Sequence, residues 1–184
     1  MPESRATSFH RAADAYARAR PSYPAEAVAW MLPPDVHLVA DVGAGTGKLA
    51  EVVAASGREV VAIDPDPGML RRLHADHTGI RRETGSAEQL PLGDASVDAV
   101  VFGQSWHWVD PVAATAEAAR VLRPHGVLGL IWNIRDPRIG WAAELGGLID
   151  ASDAEEFVAR GEPRVGAPFG PLEIATFPWE NPIT

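Results

Sequence analysis

Not one cysteine occurs in the 184 residues, which removes disulfides and thiolate-held metals from consideration. Positive charge is scarce too: 16 lysines and arginines face 25 aspartates and glutamates, a formal net charge of −9. Phosphate backbones and anionic membrane surfaces are bound mainly by cations, so this balance argues against nucleic-acid and membrane partners. No apolar run approaches the roughly 18 residues of a membrane-spanning helix. The N-terminus lacks a secretion-signal pattern, and we expect a cytoplasmic protein. What is present is ordinary for a globular chain: 46% hydrophobic and 22% charged residues, without repeats or low-complexity tracts. The length makes one domain the natural reading, with about 70% of the unfolded surface buried on folding.

The stretch LVADVGAGTGKLAEVVAASG, residues 38–57, places three glycines in five positions between an apolar run and a helical pattern. Leu38 to Val42 is short, apolar and β-branched, as a buried strand requires, while Leu49, Val52 and Val53 fall on one helical face and Gly57 supplies a stop. A glycine turn at a helix N-terminus leaves unpaired N–H groups and the positive end of the helix dipole facing a ligand. A Walker phosphate loop does not fit, because Val42 stands at its first glycine and Leu49 at its hydroxyl position. The dinucleotide pattern G-x-G-x-x-G fails at Lys48. What remains is D-x-G-x-G-x-G, from Asp41 through Gly43, Ala44 and Gly45 to Gly47, or a tight turn that holds nothing.

The rest of the chain alternates strands and helices. A helix is expected over 8–19 and a second over about 25–32, separated by RPSYP. Strands follow at 58–64, 80–84, 97–103 and 126–133, with a possible sixth near 172–177. Asp66-Pro67 opens a helix through about His74, Asp110-Pro111 opens one to about Arg123, and another carries Trp141, Leu145 and Leu148 to about Arg160. This alternation predicts a doubly wound, mostly parallel Rossmann-like sheet with helices on both faces and its ligand site over the carboxyl ends of the strands. Asp64 ends the second strand about 20 positions past the glycine loop, where a carboxylate can grip both hydroxyls of a ribose. Pro65 and Met69 follow, placed to flank an adenine ring, although Met69 is equally suited to the core.

The loop, the acidic strand end and the run GSAEQLPLGDASVDAVVFGQSWHW, residues 85–108, together resemble the small-molecule branch of the class I S-adenosylmethionine-dependent methyltransferases, over roughly residues 35–135. The resemblance implies S-adenosylmethionine as cofactor, a small-molecule substrate methylated at oxygen, and no metal. It puts Asp41 and the glycine loop on the cofactor, Ser86, Ala87 and Glu88 at the adenine edge, and Gln104 at the methionine end. Methyl transfer from a sulfonium needs aligned reactants and little water. Trp106 or Trp108 would shape the apolar pocket and face the cationic sulfur, and His107 would take a proton from the nucleophile. The alternative is a core tryptophan and a histidine that braces a loop.

The segment YARARPSYP is similar to a lid over the cofactor in relatives resembling trans-aconitate methyltransferase. That likeness makes Tyr16, Arg20 and Tyr23 site candidates, with Arg20 on the cofactor carboxylate or an acidic substrate, or else on a surface carbonyl. We therefore expect an N-terminal helical lid over 1–34 and a cofactor domain over 35–184. The family sheet has seven strands. Here no seventh is found, which suggests a missing C-terminal part and an apolar fifth-strand edge open to a homodimer. A non-catalytic cofactor-binding remnant and a nicotinamide oxidoreductase are the rival readings.

Overall fold

A computed structural model describes residues 22–73, 79–136, 138–140, 153–161 and 163–180. Five strands, β1 (Leu38–Val42), β2 (Glu59–Asp64), β3 (Ile80–Thr84), β4 (Val97–Gly103) and β5 (Leu122–Ile131), form one sheet. Its order is β3-β2-β1-β4-β5 and every neighbouring pair is parallel. The order reverses between β1 and β4, so a crevice opens there over the carboxyl ends of both strands.

Period-two alternation sorts the strand residues onto two cores. Val39, Val60, Ala62, Ala99 and Val101 pack with Val28 and Met31 of α1 (Ala25–Met31) and with Leu49 and Val53 of α2 (Lys48–Ala55). Ala40, Val61, Ile63, Val100 and Phe102 pack with Ala114, Ala118 and Val121 of α4 (Pro111–Val121). Sheets covered on both faces carry mostly apolar strands, which is why β1, β2 and β4 are largely hydrophobic, with Asp41, Glu59, Asp64 and Asp98 as their acidic residues. Gly129 in β5 admits the close approach of α1: a Cβ there would lie 2.6 Å from the Met31 side chain.

The caps at Asp66 and Asp110 form as expected. Asp66 accepts from the Gly68 amide at the start of the short helix α3 (Pro67–Leu70), and Asp110 accepts from Val112 and Ala113 at the start of α4. Three boundaries differ. Helix α3 ends at Leu70, before the expected His74; α4 ends at Val121; and β5 pairs regularly with β4 only over Val127 to Ile131, after an irregularity. The sixth strand expected near 172–177 does not form. Residues 171–180 are mostly exposed and carry no ladder, consistent with Pro171 and Pro178, which have no N–H to donate. This segment is held instead by Phe177, whose ring lies 6.0 Å from that of Trp30, and by Trp179, whose indole N–H donates to Asn133 Oδ1 at 3.2 Å.

Among the described residues strand β5 is an edge, with Val127, Leu128, Leu130 and Ile131 half-buried, and nothing in the structure supports a dimer across it. Helix α5 (Asp153–Ala159) is tied to the chain after β5 by the paired hydrogen bonds of Arg135 to Glu155. The expected helix at 8–19 lies outside the described residues, as do Trp141, Leu145 and Leu148 and the lid residues Tyr16 and Arg20; of the helix expected to run to about Arg160, the described part is α5. No described helix is long and apolar enough to cross a membrane.

Candidate functional site

All three loop glycines are left-handed, with φ of +69° at Gly43, +56° at Gly45 and +86° at Gly47, a region closed to most side-bearing residues. Two of them are also walled in by the protein. A Cβ at Gly43 would lie 2.6 Å from that of Ser105, and one at Gly47 would lie 1.7 Å from Leu73 Cδ1. Only at Gly45 would a Cβ meet nothing within 4 Å. The amides differ from expectation. Gly43 and Ala44 donate to Ile63 O, Gly47 donates to Ala44 O, and Gly45 donates to Asp64 Oδ2 at 2.8 Å. With these four N–H groups consumed internally, the loop is poorer in free donors than an anion cradle.

The loop borders a cleft of about 460 Å³ at the β1–β4 switch point, within the size range of small-molecule sites. The structure brings to it Asp41, Gly43, Ala44 and Gly45 from the loop, and Asp64, Pro65 and Met69 from the end of β2. Ser86, Ala87 and Glu88 line it from the β3–β4 connection, Gln104 and Trp108 from the chain after β4, and Tyr23 from the N-terminal side. Gly47 stands just outside, capping α2. Trp106 is a core residue, 2% exposed and edge-on to Phe102 at 4.8 Å, whereas Trp108 is 68% exposed. His107 also misses the cleft. It lines a second cavity, and its Nδ1 accepts the Trp132 indole N–H at 3.3 Å.

Sequence reasoning missed Lys48, Leu49, Ser105 and Asn133, all of which line the cleft. Ser105 donates to Val42 O at 2.7 Å and so ties the β4 end to the β1 end. Asn133 donates to Ser22 O at 2.9 Å, and its backbone carbonyl accepts from Gln104 Nε2 at 2.8 Å. The sequence carries a signal for it: Asn133 closes the strand expected over 126–133, two residues past the end of β5 and so at the carboxyl edge of the sheet. Gln104 has a φ of +58°; such strain in a non-glycine residue concentrates at functional sites.

The cleft is acidic. Asp41, Asp64, Asp66 and Glu88 line it against the single cation of Lys48, among the described residues. Three of these carboxylates already brace the backbone: Asp64 accepts from Gly45 and Asp66, Asp66 from Gly68, and Glu88 from Asp110. Asp41 differs, for neither of its buried oxygens has a hydrogen-bond partner among the described residues. Burial pushes its carboxyl up to about 7; the Ala50 amide, near but not at bonding geometry, opposes the shift, and the Asp64 charge adds to it. No described cluster of histidines and carboxylates is arranged to hold a metal.

Sheet order, glycine turn and acidic strand ends are those of the class I S-adenosylmethionine-dependent methyltransferases, and comparison with known proteins agrees. Residues 40–130 match the family described as a methyltransferase domain. An uncharacterized methyltransferase of Mycobacterium tuberculosis is 48% identical over 179 residues, covering 96% of this chain and 72% of that protein. A crystal structure from Anaeromyxobacter dehalogenans, assigned as a type II methyltransferase, superposes with a TM-score of 0.61 at 28% identity, covering 79% of this chain and 60% of that one. An S-adenosylmethionine dependent methyltransferase from Mesorhizobium loti gives a TM-score of 0.50 at 27% identity, over 57% and 52% of the two chains. The chain belongs to the methyltransferase-domain family. It spans less than two thirds of either solved relative.

Proposed function

We propose that this chain binds S-adenosylmethionine in the acidic cleft and methylates a small molecule at an oxygen that is already ionised. The observation that carries the reading is the sign of the cleft. S-adenosylmethionine brings a sulfonium and an ammonium, and four carboxylates with one of them orphaned and buried suit such a cation. A nicotinamide dinucleotide brings a pyrophosphate, which these carboxylates would repel and for which the amides of Gly43, Ala44, Gly45 and Gly47 are already taken. When bound, the cofactor supplies an electrophilic methyl group.

The chain's own residues divide the remaining work. Asp64 holds the ribose, since each of its oxygens accepts one backbone N–H and keeps a further lone-pair site. Ser86, Ala87 and Glu88 meet the adenine edge, with Pro65 and Met69 at its faces. Asp41 and Gln104 face the methionine end, Trp108 and Tyr23 the acceptor, and Tyr16 and Arg20 complete the lid. His107 does not serve as a base in this reading. Its Nδ1 accepts the Trp132 indole N–H, so taking up a proton there would cost that bond, and the ring lines a cavity apart from the cleft. That favours an acceptor needing no deprotonation, such as a carboxylate or phenolate. The composition favours a cytoplasmic setting without nucleic-acid or membrane partners.

Titration with S-adenosylhomocysteine and, separately, NADH tests the proposal: the first should raise the melting temperature and the second should not. A shift with NADH alone would sink it. Asp64→Ala should weaken S-adenosylhomocysteine at least about tenfold, roughly 1.4 kcal/mol, and unchanged affinity would remove Asp64 from the site. His107→Ala should slow turnover of the first acceptor found by less than about tenfold, against the roughly 10²–10⁴ that a general base contributes. A larger loss would restore the histidine as base.

A further inference from the structure

The turn that carries Trp106 to Trp108 borders a second cavity of about 280 Å³. Val109 lines both this cavity and the main cleft, so one side chain borders the two spaces. The wall is largely apolar: Phe157 of α5, Val109 and the buried Trp106, with Phe157 lying 6.0 Å from the His107 ring and 5.7 Å from Trp132. Among the described residues no carboxylate lines it, although acids outnumber bases 25 to 16 in the chain. Two arginines do, Arg160 and Arg164.

Among the described residues neither arginine is committed strongly elsewhere. Arg160 pairs with Glu156 one turn earlier, with both side chains exposed, and such surface pairs are worth little. Arg164 is exposed and has no hydrogen bond or ion pair with another described residue. A guanidinium presents a fork of donors matched to a carboxylate. We propose that this cavity is an acceptor subsite that takes the carboxylate end of an apolar-bodied organic acid, whose reacting oxygen lies past Val109 in the main cleft. The acceptor role rests on the methyl-transfer reading above; the anion site itself does not.

Calorimetry with 2-naphthoate on the 184-residue chain, with and without saturating S-adenosylhomocysteine, tests the subsite. Saturable binding at one site is expected in both states. Arg160→Gln and Arg164→Gln should each weaken it at least about fivefold, while Arg138→Gln, outside the cavity, should not. Glu156→Gln, which releases Arg160, should tighten it. The uncharged analogue 2-naphthalenemethanol should bind equally to all variants. Absence of saturable binding to the folded chain, or equal affinity in the wild type and the double arginine variant, overturns the subsite. If S-adenosylhomocysteine binds while naphthoate ignores the arginines, the subsite falls and the methyl-transfer reading stands. If naphthoate shows the arginine dependence but S-adenosylhomocysteine does not bind, the anion site stands and that reading falls.

Discussion

Affinity for S-adenosylmethionine is expected to rise roughly tenfold per pH unit from about pH 5 and to level off near pH 7. The cause is Asp41, whose burial without a hydrogen-bond partner raises its carboxyl to about 7. Below that pH the group is protonated and neutral, and a cation arriving beside it must first displace the proton. Above it the carboxylate is ionised and the dependence disappears. Calorimetry at pH 6 in buffers of different ionisation enthalpy should register release of close to one proton. Asp41→Asn, which keeps the shape and cannot ionise, should bind more weakly at pH 8 and show no slope. A flat profile in the wild type, or the same slope in the variant, would show that Asp41 does not face the bound cation.

The ligand-free chain should respond to pH in the opposite sense. A carboxyl whose folded pKa lies above its unfolded value contributes stability that is fully present below the unfolded pKa, near 4, and is lost as pH rises through the folded one. Stability should therefore fall between about pH 4 and 7 by up to roughly 4 kcal/mol, with Asp41→Asn removing that component. Ligand binding and folding thus pull on one proton in opposite directions, a pattern that a general acid effect on the protein would not produce.

Gly47→Ala should lower the melting temperature by about 6–12 °C, whereas Gly45→Ala should lower it by only a few degrees and weaken cofactor binding instead. At Gly47 the new Cβ falls 1.7 Å from Leu73 Cδ1 in a left-handed residue. Leu73 is buried in the core beneath α2, so steric and backbone strain combine to roughly 3 kcal/mol. At Gly45 a Cβ meets nothing within 4 Å, leaving only the backbone term of about 1–2 kcal/mol, but the position lines the cleft. Thermal melts and S-adenosylhomocysteine titrations on the two variants separate folding from binding. Equal melting temperatures would mean that Leu73 yields without strain and that the glycine at 47 answers to the ligand.

The strands and their order in the chain were legible because local rules decide them. Largely apolar runs at 38–42, 58–64 and 97–103 specify strands buried on both faces, and Asp66-Pro67 and Asp110-Pro111 cap helices α3 and α4. That alternation, together with the D-x-G-x-G-x-G turn, was enough to indicate the family. Where each side chain points after a strand ends was not legible. Trp106, His107 and Trp108 are consecutive, yet one fills the core, one lines a second cavity and one lies exposed in the cleft. A single 3-10 turn aims them three ways, and no periodicity records that. Nor does the sequence record that Ile63, Ala44 and Asp64 take the amides of Gly43, Ala44, Gly45 and Gly47. The sign of the cleft depends on carboxylates 41, 64, 66 and 88 converging from separate elements. The second cavity needs α5 packed on a turn about fifty residues earlier in the chain. By itself the sequence determined which elements form, because hydrogen bonding and burial along a strand or helix are local. Only the tertiary structure decided which charges and rings share a space, because that depends on contacts between segments with no relation along the chain.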